Sequence, residues 1–361
     1  MKKHNFSAGP SVLNQAVLQK ASKAVIELDD TGLSILEISH RSQYFNHIIT
    51  QANLLIRELL NITAEYEILF LQGGASLQFY MSALNFTKTN GTCGYVDTGT
   101  WSSKAINEAE KICNTLIVAS SKDKNYTYIP KLNFINSKLD YLHLTSNNTI
   151  YGTQFHQFPS KIDIGQQNTN IICDMSSDIL SRKFDINYFD LIYAGAQKNI
   201  GPAGTTIIIV KKDKIKNKNL PTYLSYSTHI NKKSLFNTPP VFSIYVCMLT
   251  LQWIKEKGGL SKIDEINRKK AKLLYNTIDQ SSIFQGIANK ADRSIMNVTF
   301  KLKEEYKQLE SKFNSICMEH GIVGINGHRS VGGYRASIYN ALDIKSVRFL
   351  TDIMKKLEIK I

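Results

Sequence analysis

A lysine in a cramped turn is the first residue of this sequence with an evident chemical use. Lys198 lies in "YAGAQKNIGPAG" (193–204), between the apolar runs FDLIY and TTIIIV. A lysine that only keeps a surface hydrated needs no small neighbours, whereas one that approaches a bound group closely does. Because desolvation readily lowers the pKa of a buried lysine, such an amine can act as a nucleophile or a base.

A carboxylate stands close to Lys198 in the predicted fold. Asp174 ends the apolar run "NIICD", where a charge is costly unless it meets a cation or a strong donor. Aspartate is also a good helix N-cap, and that structural role is the alternative interpretation. One predicted strand separates the two residues, so we expect both side chains at one sheet edge, on neighbouring strands.

Two further stretches follow predicted strands. "LQGGASLQF" (71–79) opens a helix after two glycines, and free N–H groups at a helix start favour an anion; Ala75 and Ser76 lie there. It lacks the GK[ST] of a P-loop, and an ordinary glycine-rich turn is the alternative. Trp101, in "DTGTWSSKA" (97–105), is a stacking partner for a flat ring or, equally, a core aromatic.

These four features together indicate pyridoxal phosphate. The lysine would bond to the aldehyde of the cofactor, and the aspartate would pair with the protonated ring nitrogen. The helix start would take the phosphate, and the tryptophan would cover the ring. We therefore predict a cofactor site at the carboxyl ends of the strands.

Arginines with a neighbouring histidine suggest an anionic substrate. "SHRSQ" (39–43) holds His40 and Arg41, and "GHRSVGGYRAS" (327–337) holds His328, Arg329 and Arg335. Arginine offers a planar fork to a carboxylate or phosphate. Three such arginines suit a substrate with two anionic ends, although each taken singly is also interpretable as a surface residue.

The elements that must position these residues follow a βαβ pattern. Short apolar runs alternate with helix-like segments between residues 67 and 210, which is typical of a mostly parallel sheet covered by helices. Two long helical patterns (241–256 and 260–279) precede a strand–helix–strand–helix tail. The predicted fold class is therefore α/β, with a sheet of the seven-stranded type. We expect a large domain over 16–256 and a smaller α+β domain over 257–361, joined by residues 1–15.

Length and composition argue against several classes of protein. The chain has 361 residues, no apolar h-region near its start and no uninterrupted apolar stretch of the ~20 residues that a membrane span needs. Five scattered cysteines without CxxC argue against a disulfide framework or a metal site and favour a cytoplasmic location. The net charge of +14 is consistent with an anionic partner, but we favour lysines spread over solvated faces. No nucleic-acid motif and no membrane motif is evident.

The ordered motifs resemble the phosphoserine aminotransferases, fold-type I pyridoxal-phosphate enzymes of the class V aminotransferase group. The resemblance covers essentially the whole chain. The stretches that carry it, in order, are "NFSAGP", "ISHRS", "GGAS.QF", "NNTIYGTQF", "DMSSD", "YAGAQKNIGPAG", "NTPPVFSIY" and "GHRSVGGYRAS".

The resemblance implies a role for each site residue. Lys198 would form the Schiff base, Asp174 would pair with the ring nitrogen, and Trp101 would stack on the ring. Thr149 would bond the ring hydroxyl, while Gln197, Ala75 and Ser76 would hold the phosphate. The family is a homodimer with shared sites, so Asn237 and Thr238 would reach the neighbouring subunit's cofactor phosphate. Arg335 would hold the substrate α-carboxylate, and the distal anion would be held by His328 and Arg329 with the neighbouring subunit's His40 and Arg41.

The implied reaction is reversible ping-pong transamination between glutamate/2-oxoglutarate and 3-phosphohydroxypyruvate/O-phosphoserine, as in serine biosynthesis. The family is also linked to vitamin B6 synthesis through phosphohydroxythreonine. One departure stands out: some members have an arginine in a "GGGRGQ"-like turn, where this chain has Ser76 in "GGASLQ". This weakens the inference about how tightly the distal phosphate is held.

Three alternatives stay open. The first is another class V small-amino-acid aminotransferase. The second is a cysteine desulfurase, although no cysteine lies in a recognisable catalytic loop and Trp101 takes the ring-stacking place of the usual histidine. The third is a non-catalytic RNA-binding protein that uses the +14 charge.

Overall fold

The computed structural model describes residues 3–215 and 219–359. Its α-helices are α1 (Gln15–Ile26), α2 (Gln43–Leu60), α3 (Gly74–Phe86), α4 (Thr100–Ala109), α5 (Tyr226–Asn231), α6 (Val241–Glu256), α7 (Gly259–Gln280), α8 (Glu310–Glu319) and α9 (Ile344–Ile359). Its strands are β1 (His4–Asn5), β2 (Tyr66–Leu71), β3 (Thr92–Asp97), β4 (Asn114–Ser120), β5 (Tyr141–Thr145), β6 (Asn147–Asn148), β7 (Thr153–Gln154), β8 (Asn170–Asp174), β9 (Leu191–Gly195), β10 (Thr206–Lys211), β11 (Phe284–Gly286), β12 (Asn297–Leu302), β13 (Ile322–Val323) and β14 (Tyr334–Ser337).

A seven-stranded sheet forms the centre of the molecule, in the order β2-β10-β9-β8-β5-β3-β4. Strand β10 runs antiparallel to both of its neighbours, and the remaining strands run parallel to one another. The short turn after β9 sends the chain straight back, which permits only an antiparallel neighbour. The predicted α/β fold with a mostly parallel seven-stranded sheet is confirmed.

Helices cover both faces of this sheet. On one face α2 and α6 pack together, and α2 buries the stripe that includes Phe45, Ile48 and Ala52. Ser42 caps α2 by accepting from the Phe45 N–H, and Asn61 ends it in the left-handed region. On the other face α3 and α4 pack against the sheet. Each large apolar side chain buried this way contributes about 1.5–3 kcal/mol before entropy is counted.

The C-terminal part builds a second core. A three-stranded antiparallel sheet, β11-β12-β14, lies against helices that include α7 and α9. Strand β1 pairs in parallel with β13, and Phe6 is buried in this core. Helix α7 runs from the first core, at Ile263, to the second, at Leu274. This packing is consistent with two domains, but the boundary at residue 257 stays a prediction.

The described residues include no membrane-spanning helix, no cluster of metal ligands and no disulfide. Among the helices described, none combines the length and the apolar character needed to cross a bilayer. Within residues 3–215 and 219–359, no group of three or more His, Cys, Asp or Glu side chains is placed to hold a metal ion. The cysteines of the described residues form no disulfide, and the Sγ atoms of Cys93 and Cys113 lie 3.3 Å apart.

Candidate active site

The carboxyl ends of six strands that run in the same direction meet at one edge of the central sheet. Asp174 is the last residue of β8, and Lys198 lies in the turn that follows β9. The two strands are hydrogen-bonded neighbours, with Asp174 in register with Tyr193. The structure therefore places Asp174 and Lys198 at the carboxyl ends of two adjacent strands, at the sheet edge where the sequence predicted them.

Lys198 is held from both ends. Its Nζ donates to Thr149 Oγ1 at 2.8 Å and lies 5.5 Å from the centroid of the Trp101 ring. The Ser11 hydroxyl donates to its backbone carbonyl, and the Ser11 N–H donates to the Gln197 carbonyl at 2.9 Å. Burial lowers the pKa of the Lys198 amine to about 8, although the Asp174 charge acts to raise it. A neutral amine is thus accessible near neutral pH.

One carboxylate oxygen of Asp174 is hydrogen-bonded, and the other has no donor among the described residues. Its Oδ1 accepts from the Ser176 N–H at 2.9 Å and from the Ser176 hydroxyl at 2.6 Å. No donor of residues 3–215 or 219–359 bonds Oδ2. Burial raises the pKa of the carboxyl, while the Lys198 charge and the two Ser176 donors act to lower it. The free oxygen of this buried acid is suited to a cationic partner.

Trp101 is positioned by the start of α4. The Ser102 hydroxyl accepts from the Thr98 N–H at 2.9 Å and the Gly99 N–H at 3.0 Å, and it donates to Asp97 Oδ1 at 2.9 Å. These bonds hold the first turn of α4 against the end of β3. The indole Nε1 of Trp101 is buried and has no hydrogen-bond partner within the described part of the chain.

The start of α3 has free N–H groups. Gly73 precedes α3 with φ of +87°, a conformation that favours glycine, and it provides no side-chain cap. Ala75 and Ser76 lie in the first turn, and the Ser76 side chain is exposed. A helix start with unbonded N–H groups is suited to an anion. Thr238, exposed like Asn237, accepts through its carbonyl from Gln72 Nε2 at 3.1 Å, which places it beside this turn.

Arg335 approaches the site from the smaller sheet. It lies on β14 opposite Thr299, and its Nε is buried without a partner in the described residues. Burial lowers the pKa of the guanidinium, and its charge acts to lower the pKa of Lys198. A half-buried guanidinium whose Nε has no acceptor among the described residues is suited to an incoming carboxylate.

The two histidine–arginine pairs lie outside the central sheet. His328 and Arg329 are exposed in the loop before β14, where His328 Nδ1 bonds the Ser330 hydroxyl at 2.8 Å. Arg41 is exposed just before α2, and His40 is half-buried. No hydrogen bond or ion pair between described residues joins these four side chains to Lys198, so their roles at the site stay predictions.

The residues that do converge fit pyridoxal phosphate. Four groups lie around the same sheet edge. They are the Asp174 carboxylate, the buried Lys198 amine, the uncapped start of α3 and the buried Trp101 indole. Each matches one part of a flat, anionic aldehyde with a ring nitrogen. Thr149 is 2 % exposed, and its hydroxyl accepts from Lys198 Nζ; its place beside the cofactor ring stays a prediction.

Sequence reasoning missed residues that support the site. Ser176 holds Asp174, Ser102 holds the start of α4, and Ser11 bonds the backbone carbonyl of Lys198. Ser176 and Ser102 lie within two residues of predicted site residues, so the serines of "DMSSD" and "TWSSK" were an available signal. Ser11 lies 187 positions from Lys198, and no local pattern marks their contact.

The chain is similar to known aminotransferases over nearly its whole length. Residues 3–350 match the family model described as Aminotransferase class-V. A phosphoserine aminotransferase of Flavobacterium johnsoniae is 54% identical over 365 residues, which cover 100% of both chains. The solved phosphoserine aminotransferase of Bacillus circulans subsp. alkalophilus is 45% identical, with a TM-score of 0.95 over 99% of both chains. A PLP-bound phosphoserine aminotransferase of Trichomonas vaginalis is 33% identical, with a TM-score of 0.90 over 98% of this chain and 100% of that one.

Proposed function

The chain belongs to the aminotransferase class-V family, and we propose that it transfers the amino group between O-phosphoserine and 2-oxoglutarate, giving 3-phosphohydroxypyruvate and glutamate. This is the reaction of its relatives, one of them 54% identical over the full chain. The observation that carries the proposal is the position of Lys198. Its amine lies 2.8 Å from Thr149 Oγ1 and 5.5 Å from the Trp101 ring centroid. Lys198 follows the strand that pairs with the strand ending at Asp174. We place this reaction in serine biosynthesis and in the cytoplasm, a reducing compartment that suits a protein whose described cysteines form no disulfide.

Lys198 acts as the base. Because its pKa is lowered to about 8, an appreciable fraction of the amine is neutral near neutral pH and can accept a proton at Nζ from the substrate Cα. Proton transfer by a positioned base contributes roughly 10²- to 10⁴-fold to a rate. Thr149, which accepts from Nζ, fixes the direction in which the amine points.

Asp174 and Trp101 serve the cofactor. Pyridoxal phosphate, when bound, supplies an aldehyde for covalent attachment of the amine and an electron sink for the bond that breaks. Asp174 Oδ2 would hold the protonated ring nitrogen, and Trp101 would cover one ring face. Ala75, Ser76 and Gln197 would hold the phosphate at the start of α3.

The substrate is recognised by its charges. Arg335, with its unpaired Nε, would hold the α-carboxylate. His328 and Arg329 would contact the distal phosphate of phosphoserine or the side-chain carboxylate of glutamate. Two anionic ends on one substrate match these two groups of cations.

We propose further that two copies of the chain share each site. His40, Arg41, Asn237 and Thr238 would then act on the neighbouring subunit's cofactor and substrate. Exposed apolar side chains lie close to the first pair, as an interface requires: Leu33, Leu36 and Tyr44.

The amino-donor preference tests the function. The purified protein should be yellow, bleach with glutamate and turn over O-phosphoserine, with phosphohydroxythreonine as a slower donor. Lys198→Ala should abolish turnover and leave no borohydride-reducible adduct with the protein. Equal turnover of unphosphorylated serine would instead indicate another class V small-amino-acid aminotransferase. A colourless protein that binds RNA in a salt-sensitive way would contradict both.

Mixed dimers test the shared site. We expect Lys198→Ala and Arg41→Ala subunits, each inactive alone, to regain roughly a quarter of wild-type activity after unfolding and refolding together. Half of the dimers would be mixed, and each would have one site with both native residues. If Arg41 served the site of its own chain, mixing would restore nothing.

A further inference from the structure

Asn199, the residue after Lys198, has no role in the mechanism above. Its side chain is buried, with 5 % of the residue exposed. The amide Nδ2 donates to the Ser177 carbonyl at 3.1 Å, and Oδ1 accepts from the Asn340 N–H at 3.1 Å. Ser177 lies in the turn that follows Asp174 at the end of β8. The side chain next to the lysine therefore binds the turn next to the aspartate.

The two partners of Asn199 require a carboxamide. A backbone carbonyl only accepts and a backbone N–H only donates, so Nδ2 must face Ser177 and Oδ1 must face Asn340. An apolar side chain would leave both buried groups unpaired, and a carboxylate would set an oxygen against the Ser177 carbonyl. Asparagine is thus the side chain of this length that satisfies both turns at once.

A second set of bonds joins the two turns on the other side of the lysine. The Ser176 hydroxyl accepts from the Gly195 N–H at 3.1 Å and donates to Asp174 Oδ1 at 2.6 Å. Gly195 precedes Lys198 by three residues, and Asn199 follows it directly. The lysine turn is therefore bonded to the aspartate turn both before and after Lys198, which limits how far the amine can move relative to the carboxylate.

The turn that carries Asn340 is held by other residues. Lys270 Nζ on α7 donates to three carbonyls of this turn, those of Ile338, Tyr339 and Leu342, at 2.8, 2.6 and 3.1 Å. Asn340 Nδ2 donates to the Leu180 carbonyl at 2.9 Å. Leu180 is buried with φ of +57°, a left-handed conformation that a leucine keeps only where its surroundings hold it. Asn199 is therefore bonded to a turn that is already fixed in place.

We propose that Asn199 is a positioning residue that sets the place of Lys198 relative to Asp174. Its two hydrogen bonds hold the lysine turn against the aspartate turn and against the turn at Asn340, so that the amine and the carboxylate keep one separation. The inference rests on the proposed function, in which Lys198 meets the aldehyde of the cofactor and Asp174 meets its ring nitrogen. Two contacts on one rigid ring tolerate little change in the spacing of the protein groups.

The electrostatic coupling between Lys198 and Asp174 reports their relative position. In full-length protein freed of cofactor, acetylation of Lys198 by acetic anhydride is followed by peptide mass spectrometry between about pH 6 and pH 10, since only the neutral amine reacts. Because the Asp174 charge acts to raise the pKa of Lys198, Asp174→Asn should lower the midpoint by about one pH unit. The other charges that act on Lys198, those of Asp178 and Arg335, are unchanged by this substitution.

Asn199→Leu replaces the amide by an apolar side chain of the same branching and removes both hydrogen bonds. In this background we expect the shift caused by Asp174→Asn to shrink to less than about half its size, because the amine no longer keeps its place beside the carboxylate. The shift is a difference within one background, so a loss of stability alone does not reduce it. An undiminished shift would overturn the inference, as would the absence of any shift in otherwise wild-type protein.

Asn267→Leu is the matched control. Asn267 on α7 is fully buried, and its Nδ2 donates to Asn340 Oδ1 at 2.8 Å and to the Ser181 carbonyl at 3.2 Å. This substitution removes a buried carboxamide from the same network but leaves both bonds of Asn199 in place. The Asp174→Asn shift should therefore keep its wild-type size, although both variants lose stability. An equal loss of coupling in both variants would assign the effect to general packing and overturn the inference.

Asn199→Ser keeps the test decisive if Asn199→Leu does not fold. Its hydroxyl is shorter than the amide and can serve one of the two partners, directly or through a water, but not both. The Asp174→Asn shift should again be smaller than in the wild-type background. A shift of full size in Asn199→Ser would show that the second bond is not needed and would contradict the proposal.

The outcome is distinguishable from failure of the proposed function, because acetylation involves neither pyridoxal phosphate nor a substrate. If wild-type protein does not turn over O-phosphoserine, the proposed substrate is wrong and the coupling still tests Asn199. If O-phosphoserine turns over normally and the coupling survives in the Asn199 variants, the function stands and the positioning role is wrong.

Discussion

Lys198 Nζ lies 5.5 Å from the centroid of the Trp101 ring, although the two residues come from different strand ends of the sheet. A cation over an indole face is an attractive arrangement. It also shows that the ring and the amine flank one space at the sheet edge. The ring of a bound cofactor would lie against the indole while its aldehyde met the lysine.

Replacing Trp101 should therefore weaken cofactor binding. We expect Trp101→Ala to raise the Kd for pyridoxal phosphate about ten-fold, because an aromatic stacking pair contributes about 0.5–1.5 kcal/mol beyond its buried area. Trp101→Phe should lose less. The measurement is a titration of cofactor-free protein followed by absorbance.

The only other tryptophan provides the control for that experiment. Trp253 lies on α6, packed against the first core. Trp253→Phe should leave the Kd unchanged, and it leaves Trp101 as the single indole. Quenching of the Trp101 fluorescence by the cofactor would then report stacking directly. Unquenched Trp101 fluorescence in a protein fully loaded with cofactor would contradict stacking.

Removing the Asp174 charge should shift the pH profile and slow the reaction. The Asp174 charge acts to raise the pKa of Lys198, which burial has lowered to about 8. Without the charge, the ammonium loses a stabilising partner and the pKa falls. We expect the alkaline rise of kcat in Asp174→Asn to move to lower pH, while its plateau drops by about 10²-fold because the ring nitrogen loses its partner. An exposed acid, Asp163, is the control, and Asp163→Asn should leave both values unchanged.

Much of this site follows from local sequence, since its parts lie at strand ends. The apolar run before Asp174 and the small residues around Lys198 marked two adjacent strands, and βαβ connections bring such ends to one edge. A run of apolar residues does not determine the direction of its strand. For β10, "TTIIIV" predicts a strand but not that it runs antiparallel to its neighbours. Only the short turn at 196–205 decides that.

Contacts between segments that are far apart along the chain could not be predicted from the sequence. Tyr339 bonds the Ala8 carbonyl, and Ser11 bonds the Lys198 carbonyl, because the N-terminal segment packs between the smaller sheet and the lysine turn. Such meetings depend on how whole elements dock, which no motif encodes. The same reason leaves His40 and Arg41 as predictions, since their proposed contacts require a second chain.

The buried Lys270 should matter for stability. Its Nζ is bonded to three backbone carbonyls, and the residue is 0 % exposed. Lys270→Met would leave these buried acceptors without a donor, each at a cost of about 1–3 kcal/mol, so we expect the free energy of unfolding to fall by about 3 kcal/mol or more. Urea denaturation followed by circular dichroism measures it. Lys272 lies on the exposed side of the same helix. Lys272→Met is therefore the matched control, and its urea midpoint should equal that of the wild type. Similar midpoints for all three proteins would show that the carbonyls find other donors.

Ser76 offers a test of how the distal phosphate is held. This chain has an exposed serine in the first turn of α3, where some members of the family have an arginine. An arginine there would add a planar cation beside the proposed anion site, and charge-assisted bonds to phosphate are strong. We expect Ser76→Arg to lower KM for O-phosphoserine about three- to ten-fold at low salt, with a smaller change for glutamate, because phosphate has the greater charge. The gain should shrink as salt screens the pair. Ser76→Gln has a side chain of similar reach without the charge, so it separates electrostatics from contact. An equal gain with glutamine, or a gain that persists in high salt, would rule out a phosphate contact at this position.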